Sequence, residues 1–156
     1  MLDALSAYTN SHGWTLSPHG RNGLSESARR GRTLFMSNTV GCAQCHQGPY
    51  FTDSRPEGEL LVHDVGTGND DPSEKMGPRY DTPSLLGVYR TAPYLHHGKA
   101  ATLRDVLRKY NRDDRHGKTS DLTDDQLVDL EEFLKALPYE NPRKAAQEAG
   151  LTRVTE

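Results

Sequence analysis

Apolar residues recur at helical spacing in three stretches of this chain, and long polar segments rich in turn formers separate them. Leu103, Val106, Leu107 and Tyr110 fall at i, i+3, i+4 and i+7, behind a Thr102 cap with Asp105 three residues on. Leu127, Leu130, Leu134 and Leu137 form a second apolar face behind a capping box of Thr123 with Gln126, and Pro138 stops it. These two amphipathic helices should pack across each other, with Tyr110 on the apolar face of the first. A third helix is expected from an N-cap at Ser25 through Ala28, Leu34 and Phe35 to Ser37, although Gly31 weakens it. Ahead of it, residues 2–8 read as the end of a helix, followed by a connector carrying Gly13, Pro18, Gly20 and Gly23. Residues 1–24 therefore read as an arm, 25–138 as one domain, and 139–156 as a tail with a short surface helix at 145–148.

Residues 48–83 are rich in Gly, Pro, Asp and Ser, and only 59–65 suggest a short strand. A loop of that length in a compact domain is expected to wrap a ligand or carry function. Composition points the same way: 33% hydrophobic and 26% charged residues in a chain of 156 are lean for a packed core. A buried macrocycle would supply the missing apolar bulk. The net charge of -3 gives no reason to expect nucleic acid, and Arg29, Arg30 and Arg32 read as a solvated helix face. No apolar run approaches the roughly 20 residues that cross a bilayer, so no membrane span is expected.

The chemistry lies in Cys42-Ala43-Gln44-Cys45-His46. This is the spacing of c-type haem attachment, in which two thiols add to the haem vinyl groups and the adjacent histidine ligates iron. One turn of chain sets both sulfurs at one porphyrin edge and carries His46 over its face. A zinc site needs four ligands, but there is no second CxxC, and His96 with His97 lacks the usual spacing. A thioredoxin-like CxxC follows a buried strand, for which Thr39, Val40 and Gly41 are poor material. The expectation is one covalent haem c in a mainly α fold with long irregular loops around it. Haem attachment of this kind takes place outside the cytoplasmic membrane, so a periplasmic or extracellular location is expected. Met1 is followed by no signal-peptide pattern, so either a signal has been removed or the chain is a piece of a longer one.

From Gly31 onward the chain resembles the C-terminal haem domain of the bacterial di-haem cytochrome c peroxidase family, which includes MauG-like proteins. The resemblance is carried in order by GRTLF at 31–35, CAQCHQGPYFTD at 42–53, DTPSLLGVYRTAPYLHHG at 81–98, ATLRDVLRKY at 101–110 and LTDDQLVDLEEFLKAL at 122–137. DVGTG at 64–68 and RHGKTSDLT at 115–123 are similar to versions in multidomain proteins, where a helix like residues 2–10 closes a preceding module. The resemblance implies a cytochrome c fold that accepts electrons from a small donor and passes them to a second haem domain. The leading expectation is thus an electron-transfer domain working with a redox partner protein or a second haem domain. The alternative is a peroxidase-type enzyme with an open or weakly filled distal position, and the missing second CxxCH counts against that activity in this chain alone.

The resemblance also implies a calcium ion bound by the backbone carbonyls of Thr91 and Pro93. Read by themselves these residues make a rigid turn, with Asp53, Asp64, Asp70, Asp71 and Asp81 as solvated loop carboxylates. His96 matches a family histidine close to the haem, and His97 beside it reads as exposed. His12, His19 and His63 read as surface or loop histidines, and Tyr50, Phe51 and Tyr94 as packing around the haem. The sixth iron ligand stays open among His116, Tyr110 and Met76. His116 comes first, as the one imidazole in the loop between the last two helices, with Gly117 allowing close backbone approach. Tyr110 aligns with the position where relatives carry Met or Tyr, and Met76 would give a His/Met pair of higher potential.

Overall fold

The computed structural model describes residues 2–11, 15–54, 60–68 and 77–148. Four α-helices lie along them: α1 (Leu2–Ser11), α2 (Glu26–Met36), α3 (Asp124–Lys135) and α4 (Pro142–Glu148). The fold is that of a cytochrome c, mostly helical, and its strands are two residues each. The strand expected at 59–65 is β1 (Val62–His63), paired antiparallel with β2 (Tyr80–Asp81).

The core is the crossing of α2 and α3. Ser25 caps α2, accepting the Ala28 amide at 3.1 Å, and the Thr123 capping box opens α3. Phe35 from α2 meets Phe133 from α3 at a centroid distance of 5.2 Å, with Phe51 edge-on to both, and Leu127, Leu130 and Leu137 are buried around them. Gly31 is the point of closest approach, because a Cβ there would stand 1.9 Å from the carbonyl oxygen of Asp129. The residue that weakens α2 by propensity is the one that lets the two helices touch. Arg30 is exposed but not merely solvated. It grips the buried Asp129 carboxylate with two hydrogen bonds of 2.7 Å, and the Ser27 hydroxyl donates to the same group at 2.6 Å.

Three segments differ from the sequence reading. The helix expected over 103–110 begins as predicted, with Asp105 and Thr102 bonding reciprocally, but its body, Asp105–Lys109, winds as a wider π-type turn. Tyr110 leaves the turn half-buried, and its hydroxyl reaches the Lys99 carbonyl at 2.9 Å. Part of the N-terminal arm is fastened to α3: the Ser17 hydroxyl donates to Lys135 carbonyl at 2.6 Å and its amide to Pro138 carbonyl at 2.9 Å. The tail helix starts earlier than expected and buries Pro142 and Ala146.

Candidate haem site

Cys42–Gln44 forms a single 3-10 turn directly after the buried Val40, so Cys42, Cys45 and His46 are presented from one tight loop against α2. His46 Nδ1 lies 3.0 Å from the carbonyl of Phe51. With the proton on Nδ1 that bond is satisfied, and Nε2 keeps the lone pair a metal needs. Phe51 itself has φ 53, a strained value for a large side chain, spent where its carbonyl meets the histidine. The His46 ring stands 6.4 Å from Phe35 and so borders the core. Burial lowers its pKa although the Phe51 carbonyl opposes that, and the ring is held neutral.

Across from it stands His116. The two imidazole centroids are 6.2 Å apart with 37° between the ring planes. Two imidazoles sharing one metal ion at metal–nitrogen distances of about 2.0 to 2.1 Å have centroids about 6 Å apart. Burial, with His46 close by, pushes the His116 pKa down to about 4, so this ring too is neutral at ordinary pH. Its backbone is held by Asn111, whose Oδ1 accepts the His116 amide at 2.8 Å and whose Nδ2 donates to Gly117 carbonyl at 2.7 Å and Thr119 Oγ1 at 2.9 Å. Thr119 passes the grip on, donating to Leu107 carbonyl at 2.6 Å. The loop is also laid over the haem motif. Lys118 amide bonds Val40 carbonyl at 2.8 Å, and a Cβ on Gly117, with φ +81, would come within 3.1 Å of that carbonyl and 3.7 Å of Cys42 Sγ. Only glycine gives both that turn and that clearance.

The donor set fits haem c. Burial pushes the Cys42 thiol up to about 11 and raises that of Cys45. One turn presents both thiols in the CxxCH spacing next to His46, whose ring faces that of His116. The comparisons agree. The family model described as RoxA-like, cytochrome c-like matches residues 79–116. Hydrazine synthase subunit gamma of Kuenenia stuttgartiensis is 32% identical over 87% of this chain and 48% of its own length. The cytochrome-c peroxidase IdrP1 of Denitromonas iodatirespirans is 31% identical over 76% of this chain and 42% of its own. A solved MauG-like protein associated with microbial copper homeostasis superposes with a TM-score of 0.58 at 26% identity, over 76% of this chain and 48% of that one. The chain is a cytochrome c-like haem domain of the MauG and di-haem peroxidase type. It spans less than half the length of each of these relatives.

Within this haem domain the other sequence candidates fall elsewhere. Tyr110 has its hydroxyl engaged by Lys99, and Met76 lies outside the described residues, as do His12, Asp70 and Asp71. His96 is exposed and stacks on Tyr80 at 4.0 Å, while His97, expected in solvent, is half-buried and accepts the Lys99 amide at 3.1 Å. The two rings lie 4.4 Å apart, with His97 the more buried of the pair. Thr91 and Pro93 are exposed, and among the described residues the grouped ligand-type atoms are those of Cys45, Asp53 and His63 instead. That group corrects two expectations. Asp53 is buried, 8% exposed, and His63 is its partner at 2.6 Å. The two lie ten residues apart in sequence, with no periodicity to bring them together. Asp64 is likewise paired, with Arg115, which ties the loop after β1 to the neighbour of His116.

Proposed function

We propose that this domain transfers electrons through one haem c, attached at Cys42 and Cys45 and ligated by His46 and His116. The facing pair of neutral imidazoles 6.2 Å apart carries this reading. When bound, the haem supplies a one-electron ferric/ferrous couple whose potential depends on ligands, burial and hydrogen bonds. The chain's own residues do the rest. Cys42 and Cys45 fasten the group, the Phe51 carbonyl fixes the tautomer of His46, and Asn111 with Thr119 holds His116 in place. With haem bound, His46 and His116 would both be iron ligands and would leave no open position for peroxide, which favours transfer over peroxidase chemistry. The likeness to cytochrome-c peroxidases supports a redox partner, either a second haem domain or a small redox protein. Attachment of haem c supports a periplasmic or extracellular location, and no helix among the described residues is long and apolar enough to cross a membrane.

Optical spectra of the purified haem protein, oxidised and reduced, test the reading. The expected result is low-spin iron in both states. His116→Ala should shift the spectrum towards high spin and admit external ligands, and Tyr110→Phe should change neither. The reverse outcome would move the sixth ligand to Tyr110 and favour the peroxidase-type reading. That reading further requires peroxide turnover in the enzyme range of about 1 to 10³ per second.

A further inference from the structure

Beside the attachment motif sits a cluster that electron transfer, as described, leaves unused. The Cys45 sulfur, an Asp53 carboxylate oxygen and a His63 ring nitrogen lie within 4.8 Å of one another. Asp53 Oδ2 accepts from His63 Nε2 at 2.6 Å, while Oδ1 is buried and finds no hydrogen bond of ordinary length and angle. The position is built rather than accidental. Asp53 follows Thr52, whose amide bonds Gln47 carbonyl at 3.0 Å and whose hydroxyl bonds Thr82 carbonyl at 2.5 Å, and His63 is fixed by the β1 register opposite Tyr80. Thiol, carboxylate and imidazole together resemble a metal site. Once haem is attached, however, the Cys45 sulfur is a thioether, and the trio is reduced to a carboxylate and its imidazole. Burial alone would raise the Asp53 pKa, but the Thr82 side chain and His63 outweigh it and hold the carboxyl below the usual range. A buried charge imposes a field on whatever lies next to it.

We propose that Asp53, oriented by His63, lowers the reduction potential of the iron by placing a fixed negative charge against the Cys45 edge of the haem. The proposal rests on haem being attached at Cys45. Reduction adds one electron to the site, taken from the donor, so the site becomes more negative beside an existing negative charge, and the ferric state is favoured. His63 donates its Nε2 proton to Asp53 Oδ2 and so orients the carboxylate.

The test is a potentiometric titration of the haem-loaded chain at about pH 8, where an ordinary imidazole is neutral. Asp53→Asn should raise the midpoint so that the oxidised-to-reduced ratio at a fixed potential changes about tenfold, or about 59 mV for one electron, with the low-spin spectrum unchanged. Asp53→Glu, which keeps the charge, should stay near the wild type. Asp81→Asn, which removes an exposed carboxylate bonded to Ser54 on the same loop, should shift it far less. A midpoint unmoved by Asp53→Asn overturns the proposal, as does a Glu variant that shifts as far as Asn. If neither Asp53→Asn nor Asp53→Ser retains haem, the residue is structural and the proposal falls. Absence of covalent haem from the wild type would instead overturn the attachment reading on which the proposal stands.

Discussion

Replacing Gly31 with Ala should destabilise this domain, although alanine is the better helix former. The new Cβ would stand 1.9 Å from the Asp129 carbonyl oxygen, 2.5 Å from its carbon and 3.0 Å from the Leu130 nitrogen. All three are backbone atoms of α3, so no side chain can rotate out of the way. A close but tolerable carbon–oxygen contact is about 3.3 Å, so α2 and α3 would have to part by about 1.4 Å at their crossing. That movement opens the contact of Phe35 with Phe133 and pulls Arg30 and Ser27 from Asp129. Overfilling a fitted contact costs about 1 to 3 kcal/mol, and this one is at the severe end. Helix propensity returns at most about 1 kcal/mol. A net loss of about 2 kcal/mol corresponds to a Tm lower by about 4 to 8 °C for a domain of this size. Thermal unfolding of the haem-loaded variant, followed by circular dichroism, measures it. A Tm equal to or above that of the wild type would refute the close crossing, because propensity alone predicts a gain.

Asn111→Ala strips the Gly117 carbonyl, the Thr119 hydroxyl and the His116 amide of their common partner; a loss of about 2 to 3 kcal/mol is expected in denaturant titration, together with a rise in the high-spin fraction as the ligand loosens. Arg30 above all, with help from Ser27, holds the Asp129 carboxyl below its usual range against burial. Its folded-state pKa is depressed, so the stabilisation is complete above the unfolded value of about 3.9 and is lost as pH falls through the lower folded value; Tm of Asp129→Asn should decline less steeply than wild type over that acid window. Replacing both Cys42 and Cys45 with Ala should yield a haem-free chain with little cooperative unfolding, since a core of such lean composition depends on its bound group. A sharp calorimetric transition in that variant contradicts the dependence.

Legibility in the sequence followed the range of the interactions. Ser25, Thr123 and Gln126 announce helix starts because a cap is settled within four residues, and the CxxCH motif is settled within five. His116 stands out in the sequence by its place in the loop between two helices. The wider turn at Asp105–Lys109 carries no sequence mark, since the same apolar spacing serves an α-helix or a π-type turn. Asp53 with His63 was invisible for a different reason. Asp53 sits in irregular chain and His63 on a strand of only two residues, so the partners are set by the whole path of the backbone, and a polar residue there reads as solvated until its neighbours are known. His96 and His97 show the same limit, for two equal side chains on one turn carry no mark of which points inward.

If His116 ligates the haem iron as proposed, the Asn111 hub bears on the speed of electron transfer. An amide that accepts the His116 N–H at its oxygen and donates from its nitrogen to the next carbonyl fixes the backbone that presents the imidazole. Movement of ligands between redox states is the inner part of the reorganisation that every electron hop must overcome. In the proposed site, a His116 moored to a hydrogen-bonded turn and a His46 moored to the Phe51 carbonyl would keep that movement small. The stiffness that fast exchange would need then resides in side-chain amides and backbone carbonyls that never touch the metal.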